Sequence, residues 1–144
     1  MFYGTYTPRL DDKGRLILPA KLRDGLKALG DGDLMITQGQ ERCLYVFPLP
    51  VFQEMHARLR AQAAMDPAAR HLERIMLASA SQERPDSQGR ITVPPPLRAF
   101  AGLEKGLTVI GSGTRFEIWA TPIWDEYKAE QEALLAQQAH SFYM

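Results

Sequence analysis

Two stretches of the sequence repeat one pattern, DDKGRLILPAKLR at residues 11–23 and DSQGRITVPPPLR at residues 86–98. Aligned on Gly14 and Gly89, they lie 75 residues apart. They share the frame Asp-x-x-Gly-Arg, three strand-like residues, Pro, two variable residues and then Leu-Arg. A pattern that returns at this length raises the question of whether a whole unit is duplicated.

A second pair of similar stretches follows in the same order, LYVFPLPVF at residues 44–52 and FEIWATPIW at residues 116–124, with an offset of 72 residues. Two echoes in one order indicate a duplicated unit rather than chance. Because a half of roughly seventy residues would be marginally stable alone, the repeats are expected to share one compact core. The predicted segments are a first repeat at 1–52, connecting helices at 53–80, a second repeat at 81–124 and a C-terminal helix at 125–144.

The composition is that of a globular protein of one domain. Of the 144 residues, 45% are hydrophobic and 24% are charged, which is ordinary for a soluble protein. No apolar run approaches the length of about 18 residues that a membrane span needs, and the N-terminal stretch has no basic region followed by an apolar one. We therefore expect neither a transmembrane helix nor a secretory signal. Cys43 is the single cysteine, which excludes an intramolecular disulfide and a cysteine-based zinc site and favours a reducing, cytoplasmic setting.

Charge is balanced overall but unevenly distributed along the chain. The 17 basic and 17 acidic residues cancel, which gives no support for a protein that is basic throughout. Residues 1–27 carry six Lys or Arg against three Asp, and residues 84–105 carry four against two acids, whereas residues 116–144 carry one Lys against five acids. The basic excess lies on the repeated element, so we predict one basic face on a neutral protein.

The local patterns predict an α+β fold that is rich in strands. In each repeat a strand follows the glycine turn, a short helix follows the proline, and a β-hairpin comes next. Helices are predicted to begin near Pro50 and at Pro67, and a last helix to run from Pro122 to about His140. The stretch SQERPDSQG at 81–89 is expected to be a loop. The order of elements does not resemble a βαβ series, and we expect two half-barrels packed against each other.

The Asp-x-x-Gly-Arg turn is the part of the repeat that can carry chemistry. Glycine permits a tight turn, and the arginine just past it, Arg15 or Arg90, is presented on a rigid support. A guanidinium can donate two parallel hydrogen bonds to O6 and N7 of guanine in the major groove, and the adjacent aspartate can orient it. Nearby Lys13, Lys21 and Arg23 can hold phosphates. The alternative is structural, because an Asp and an Arg that flank a tight turn often only pair across it.

With these motifs the chain resembles the MraZ family, bacterial transcriptional regulators of the AbrB-like (SpoVT/AbrB) superfamily. The resemblance covers essentially the whole chain and rests on MFYGTYTPRLDDKGRLILPAKLR at the start and SQERPDSQGRITVPPPLR at the midpoint. It implies a duplicated swapped-hairpin β fold, a pseudo-two-fold β-barrel, with connecting helices and a C-terminal helix. It also implies a ring-shaped homo-oligomer on the nucleoid that binds double-stranded DNA at G-rich direct repeats, upstream of the division and cell-wall gene cluster.

The resemblance carries the DNA-binding role to the motif Asp and Arg of both copies, and basic residues around them complete the predicted set. That set is Asp11, Lys13, Arg15, Lys21, Arg23, Asp86, Arg90 and Arg98. The first copy is expected to contribute more, because it has lysines where the second copy has Gln88 and Pro96. We predict no catalytic, cofactor-binding or metal-binding residue, and no cofactor.

Other patterns have plainer interpretations. The three histidines lack metal-ligand spacing and are expected to be packed or solvated, and Cys43 is expected to be a packing residue. DGD at 31–33 is interpreted as a turn rather than a calcium loop, and GSG at 111–113 lacks the context of a phosphate loop. Trp119 and Trp124 are expected in the core or at a subunit interface rather than as a platform for stacked bases.

Competing functions remain open on the sequence alone. A sequence-specific DNA-binding regulator is favoured, and the alternative is an interaction protein, an oligomeric ring whose repeated motif only shapes subunit contacts. An enzyme has the least support, because the sequence offers no nucleophile–base pair and no metal cluster. The C-terminal helix keeps Trp124, Tyr127, Leu134 and Leu135 for burial, which favours packing on a neighbouring subunit.

Overall fold

The computed structural model describes residues 1–138 and 140–143. Its strands are β1 (Thr5–Tyr6), β2 (Arg15–Ile17), β3 (Leu34–Gln38), β4 (Leu44–Pro48), β5 (Ser81–Glu83), β6 (Arg90–Thr92), β7 (Leu107–Gly111) and β8 (Phe116–Ala120). Its helices are α1 (Ala20–Ala28), α2 (Leu49–Ala63), α3 (Pro67–Ser79), α4 (Pro95–Ala101), α5 (Thr121–Gln138) and α6 (His140–Tyr143). The predicted α+β class is confirmed, although the long helices α2, α3 and α5 make the fold less rich in strands than the sequence indicated.

Six strands form one antiparallel sheet in the order β1-β7-β8-β4-β3-β5, and β2 pairs with β6 in a separate two-stranded ribbon. The repeats exchange their edge strands, since β1 of the first repeat pairs with β7 of the second, and β5 of the second pairs with β3 of the first. This is the swapped arrangement that the resemblance implied. Across the described residues the sheet does not close, because its edge strands β1 and β5 are only two and three residues long and lie far apart in the strand order. The predicted barrel is therefore wrong, and the ribbon instead covers one face of an open sheet.

The two repeats are related by a pseudo-two-fold axis. Under the alignment that defines the repeats, Leu16 corresponds to Ile91 and Tyr45 corresponds to Glu117. In the structure these equivalent residues are direct cross-strand partners, Leu16 with Ile91 in the ribbon and Tyr45 with Glu117 at the centre of the sheet. An axis through both pairs maps each repeat onto the other. Each feature of one repeat can therefore be compared with its counterpart in the other.

The main core lies between the sheet and the ribbon. Strand alternation points Leu44 and Val46 of β4, and Phe116 and Ile118 of β8, to this side, where each is 0% exposed. The ribbon and the short helices α1 and α4 close the core with residues that are also buried, Leu16, Leu18, Leu22, Ile91, Val93 and Leu97. The paired leucines of the repeated motif are thus confirmed as residues that form the fold.

Helices cover the opposite face of the sheet. The α2–α3 hairpin lies over β3 and β4, where Phe47 and Phe52 pack edge to face with ring centroids 5.7 Å apart. α5 packs on β8 through Trp124 and Tyr127, whose ring centroids lie 5.1 and 4.9 Å from that of Trp119. Trp119 is buried, in agreement with its predicted place in the core.

The predicted helix starts agree with the structure, and one strand was missed. α2 begins at Leu49, next to Pro50, and α3 begins at Pro67 behind Asp66, whose carboxylate accepts a hydrogen bond from the N–H of Ala68 (2.9 Å). β5 occupies part of the predicted loop, because its polar sequence lacks the alternation of a strand and its extended form depends on pairing with β3. None of the helices in the described part of the chain has both the length and the apolar character that a membrane crossing needs.

Candidate nucleic-acid interface

The outer side of the β2–β6 ribbon brings both motif arginines to one surface. Because side chains alternate along a strand, the middle residue of each strand points to the core and the flanking residues point outward. The register pairs Arg15 with Thr92 and Ile17 with Arg90. We call these four residues the ribbon face. The strands are antiparallel, so the two arginines stand at opposite ends of this face.

The first turn, residues 11–14, holds Arg15 in position through one carboxylate. Asp11 Oδ1 accepts hydrogen bonds from the backbone N–H groups of Lys13 and Arg15, both at 2.9 Å. Asp11 Oδ2 accepts one from Arg15 Nε, also at 2.9 Å. The backbone closes the turn, since Asp11 N–H donates to Arg15 O (2.8 Å) and Gly14 N–H donates to Asp11 O (3.0 Å). The turn and the guanidinium that follows it are therefore one connected unit.

The second turn, residues 86–89, repeats this network. Asp86 Oδ1 accepts hydrogen bonds from the N–H groups of Gln88 and Arg90 at 2.9 Å, and its Oδ2 accepts one from Arg90 Nε at 2.8 Å. The exposure of the two arginine side chains is also matched, at 27% for Arg15 and 28% for Arg90. The ribbon face thus presents two oriented guanidinium groups in equivalent geometry.

Both carboxylates are held in their charged form. The backbone N–H of Arg15 is the largest influence that keeps the pKa of Asp11 below its ordinary value. The backbone N–H of Arg90, followed by its side chain, lowers the pKa of Asp86 to about 2. Each aspartate contacts its arginine at Nε, and among the described residues neither guanidinium has a further hydrogen-bond acceptor. The Asp–Arg pairing of the structural interpretation is therefore present, and it leaves the terminal nitrogens available to an acceptor outside the chain.

Two more arginines cross from one repeat to the turn of the other. Gly14 and Gly89 have φ of 76° and 79°, in the left-handed region that favours glycine. A Cβ on Gly14 would overlap the guanidinium of Arg98, and a Cβ on Gly89 would overlap that of Arg23. Both glycines are needed for this close approach as well as for the turn. Arg23 belongs to the first repeat in the sequence, but its guanidinium lies at the second turn.

The lysines of the predicted set are separated by the ribbon. Lys13 is exposed in the first turn. Lys21 is exposed at the start of α1, which follows the end of β2 that lies next to the second turn, where Leu18 N–H donates to Gly89 O at 2.9 Å. The sequence analysis placed Lys21 among the neighbours of Arg15, and this placement is wrong, because β2 carries the chain away from the first turn.

Motif analysis missed Ile17 and Thr92. They lie two residues after the motif arginines and share their face, and Ile17 is 57% exposed. An exposed isoleucine between two arginines combines apolar and cationic groups on one surface. The signal was present in the sequence, since strand alternation alone places the second residue after each arginine on the same side.

The remaining polar clusters have structural explanations. Cys43 is buried beside Glu117, and burial raises the pKa of its thiol, as expected of an unreactive packing residue. Glu117 accepts hydrogen bonds from Trp119 Nε1 (3.0 Å) and Arg115 Nη2 (2.9 Å). His56 contacts a carboxylate of α3 at 2.9 Å. In residues 1–138 and 140–143 no group of three or more His, Cys, Asp or Glu side chains is placed to hold a metal ion.

Comparison with known proteins gives the same picture as the duplicated geometry. The family model described as "MraZ protein, putative antitoxin-like" matches the chain twice, over residues 1–75 and 76–142. A protein of Kineococcus radiotolerans named transcriptional regulator MraZ is 54% identical over 138 residues, which are 96% of this chain and 94% of the relative. Relatives of the same name from Salinispora tropica and Micrococcus luteus are 57% and 53% identical, over 92% and 95% of this chain and 90% and 93% of their own lengths. Repeats, fold and relatives agree, and the chain belongs to the MraZ family.

Proposed function

We propose that this protein is a sequence-specific DNA-binding regulator of transcription that reads guanine with Arg15 and Arg90. The observation that carries the proposal is the ribbon face, on which the two arginines stand in matched geometry. An oriented guanidinium with free donors is suited to O6 and N7 of guanine in the major groove. The relatives' name, transcriptional regulator MraZ, supports the same conclusion.

The dimensions of the ribbon suit this role. The major groove is about 12 Å wide and admits a two-stranded β-ribbon. Along the ribbon Arg15 and Arg90 are two residue positions apart, about 7 Å, which corresponds to roughly two base-pair steps. Ile17 and Thr92 lie between the arginines and offer methyl groups to thymine. Each bidentate arginine contact contributes about 1–3 kcal/mol of discrimination against a wrong base, and Lys13 adds a phosphate contact that carries no sequence information.

Self-association into a ring is the second part of the proposal. Large apolar side chains remain between 42% and 89% exposed on α3 and the C-terminal helices, namely Leu72, Ile75, Leu77, Leu134, Leu135, Phe142 and Tyr143. A second copy of the chain is the simplest cover for such surfaces. A ring then presents many ribbon faces, and direct repeats about one helical turn apart meet successive subunits on one side of the duplex. Affinity arises largely from multivalency and falls steeply with salt.

The genetic role follows from family membership rather than from the geometry. We propose that the operator consists of G-rich direct repeats upstream of the division and cell-wall gene cluster. The protein would then act in the cytoplasm, on the nucleoid.

A ring-forming interaction protein is the competing function. One observation favours it, because Asp11 and Asp86 each bind the backbone and the arginine of their own turn, which is what a purely turn-shaping motif requires. This competitor predicts that removal of Arg15 and Arg90 changes the assembly. The regulator predicts that the same change removes DNA reading and leaves the assembly intact.

Fluorescence anisotropy with two duplexes of equal composition, one with G-rich direct repeats and one scrambled, tests the proposal. Wild type is expected to prefer the repeats, and the Arg15→Ala/Arg90→Ala double variant to lose that preference at an unchanged size-exclusion volume. Arg70→Ala is the matched control, because Arg70 is an exposed arginine on α3, on the other side of the sheet from the ribbon. Equal binding of both duplexes by wild type, or loss of assembly before loss of DNA preference, would overturn the proposal.

A further inference from the structure

The pseudo-two-fold axis exposes one difference in charge next to the turns. On the side of the second turn, Arg84 forms a two-pronged ion pair with Asp33, with Nε to Oδ1 at 2.6 Å and Nη2 to Oδ2 at 2.9 Å. The β3–β5 register pairs Leu34 with Glu83, so Arg84 and Asp33 occupy the next cross-strand position. The guanidinium of Arg84 is therefore already neutralised by a carboxylate of the same chain.

The counterpart of Arg84 in the first repeat is Arg9, and the counterpart of Asp33 is Gly106. Arg9 and Gly106 face each other in an antiparallel bridge, between hydrogen bonds from Leu10 N–H to Lys105 O (2.9 Å) and from Leu107 N–H to Pro8 O (3.3 Å). The position that holds a carboxylate in one half thus holds only hydrogen in the other. Arg9 is exposed, and no carboxylate in the described residues pairs with it.

Arg9 is also close to the first turn. It lies two residues before Asp11, about 7 Å along an extended chain, so its long side chain can reach the backbone of a duplex whose bases Arg15 contacts. Buried Leu10 lies between them and fixes the chain on the core. Arg9 is thus an unpaired cation at one end of the ribbon face, whereas the cation at the equivalent position of the other end is neutralised.

We propose that Arg9 binds a DNA phosphate beside the base read at the first turn, and that Arg84 does not at the second. The inference rests on the proposed function. It makes the two ends of the ribbon unequal binders, although their Asp–Arg networks are matched. The recognised group is a backbone phosphate, so the contact adds affinity and salt dependence and carries no base preference.

Gly106 offers a direct way to test the role of Arg9. Its φ lies outside the left-handed region, and a Cβ there would meet only Thr121 at 3.7 Å, which is ordinary contact. Gly106→Asp therefore recreates the carboxylate of Asp33 opposite Arg9. Gly106→Asn is the uncharged control of nearly equal size. Arg9→Gln and Arg84→Gln form a second matched pair, with the same change at equivalent positions.

The measurement is the affinity for the G-rich duplex at 50 and 200 mM salt, by anisotropy. Gly106→Asp and Arg9→Gln are expected to lower the salt slope by about 0.9 per subunit bound, so the affinity ratio between the two salt concentrations shrinks about threefold. Gly106→Asn and Arg84→Gln are expected to keep the slope of wild type. Base preference is expected to stay unchanged in all four variants.

The outcomes separate this inference from the proposed function. If wild type prefers the repeats and Arg15→Ala removes that preference, but Arg9→Gln and Gly106→Asp keep the wild-type slope, only the Arg9 contact is refuted. Equal slope losses in Arg9→Gln and Arg84→Gln also refute it, because both ends would then bind phosphate. If wild type does not bind the duplex at all, the proposed function falls and this inference falls with it.

Discussion

The two turns of the repeated motif are alike in geometry and unlike in surroundings. In each turn one aspartate accepts two backbone hydrogen bonds and one from an arginine Nε, at distances that agree within 0.1 Å between Asp11 and Asp86. Around them the charges differ, with Arg9 unpaired at the first turn and Arg84 neutralised at the second. The comparison teaches that the fold constrains the local network through the glycine and the strand register, whereas neighbouring surface charges vary freely.

The largest expected effect tests whether the two halves are equivalent at the axis. Leu16 and Ile91 are cross-strand partners and are 1% and 2% exposed. Leu16→Ala and Ile91→Ala should each lower the free energy of unfolding by about 2–5 kcal/mol, because each leaves a cavity in the shared core. Chemical denaturation measures both, and Ile17→Ala on the exposed side of the same strand is the control. A large loss in one variant and almost none in the other would break the symmetry argument.

The next effect concerns the glycines. Gly14→Ala and Gly89→Ala should each cost more than about 1 kcal/mol, because alanine is strained at positive φ and its Cβ overlaps a guanidinium. Gly113 has φ of 90° and open space around its Cβ, so Gly113→Ala measures the strain without the overlap. Thermal unfolding should rank both turn variants below the Gly113 variant. Equal losses at all three positions would show that the crossing arginines contribute nothing.

A smaller effect sharpens the charge difference. Asp33→Asn breaks the ion pair with Arg84, and because Arg84 is 62% exposed the loss of stability should stay within about 1 kcal/mol. The freed cation should raise the salt slope of DNA binding toward that of a more symmetric ribbon. The double variant Asp33→Asn/Arg84→Gln should return the slope to the wild-type value. If Asp33→Asn leaves the slope unchanged, the second turn is out of reach of a phosphate.

The smallest effect is a pH dependence of the second turn. The folded-state pKa of Asp86 is about 2, below the ordinary value of 3.8. The charged carboxylate therefore stabilises the turn fully above about pH 4, and this contribution is lost as the pH falls through about 2. Carboxyl carbon shifts in an NMR titration should place the Asp86 midpoint near 2. A midpoint near 3.8 would mean that the hydrogen bonds to Arg90 are absent in solution.

Much of the fold could be predicted from local signals. The repeat alignment identified the residues that meet on the axis, the prolines marked the helix starts, and Gly14 was recognised as a residue for positive φ. The exchange of β1 and β5 between repeats could not be derived from local patterns, because strand partners far apart in sequence leave no periodic signal. The same reason explains why the closed barrel was wrong and why β5 was taken for a loop.

The candidate site was only partly predictable. The motif itself indicated that Asp11 orients Arg15, since the partners lie four residues apart. The position of Arg23 at the second turn was not predictable, because it depends on the antiparallel ribbon. The pairing of Arg84 depends on Asp33, which is 51 residues away.

The most direct test of the central claim is a cycle that pairs a change in the protein with a change in the DNA. Wild type and Arg15→Ala are titrated with a G-rich repeat duplex and with the same duplex in which 7-deazaguanine replaces guanine, which removes the N7 acceptor from the major groove. If Arg15 reads guanine, wild type should lose about 1–3 kcal/mol of binding free energy on the modified duplex, and Arg15→Ala should lose almost nothing further. Equal losses by both proteins on the modified duplex would contradict the account, because Arg15 would then not contact N7.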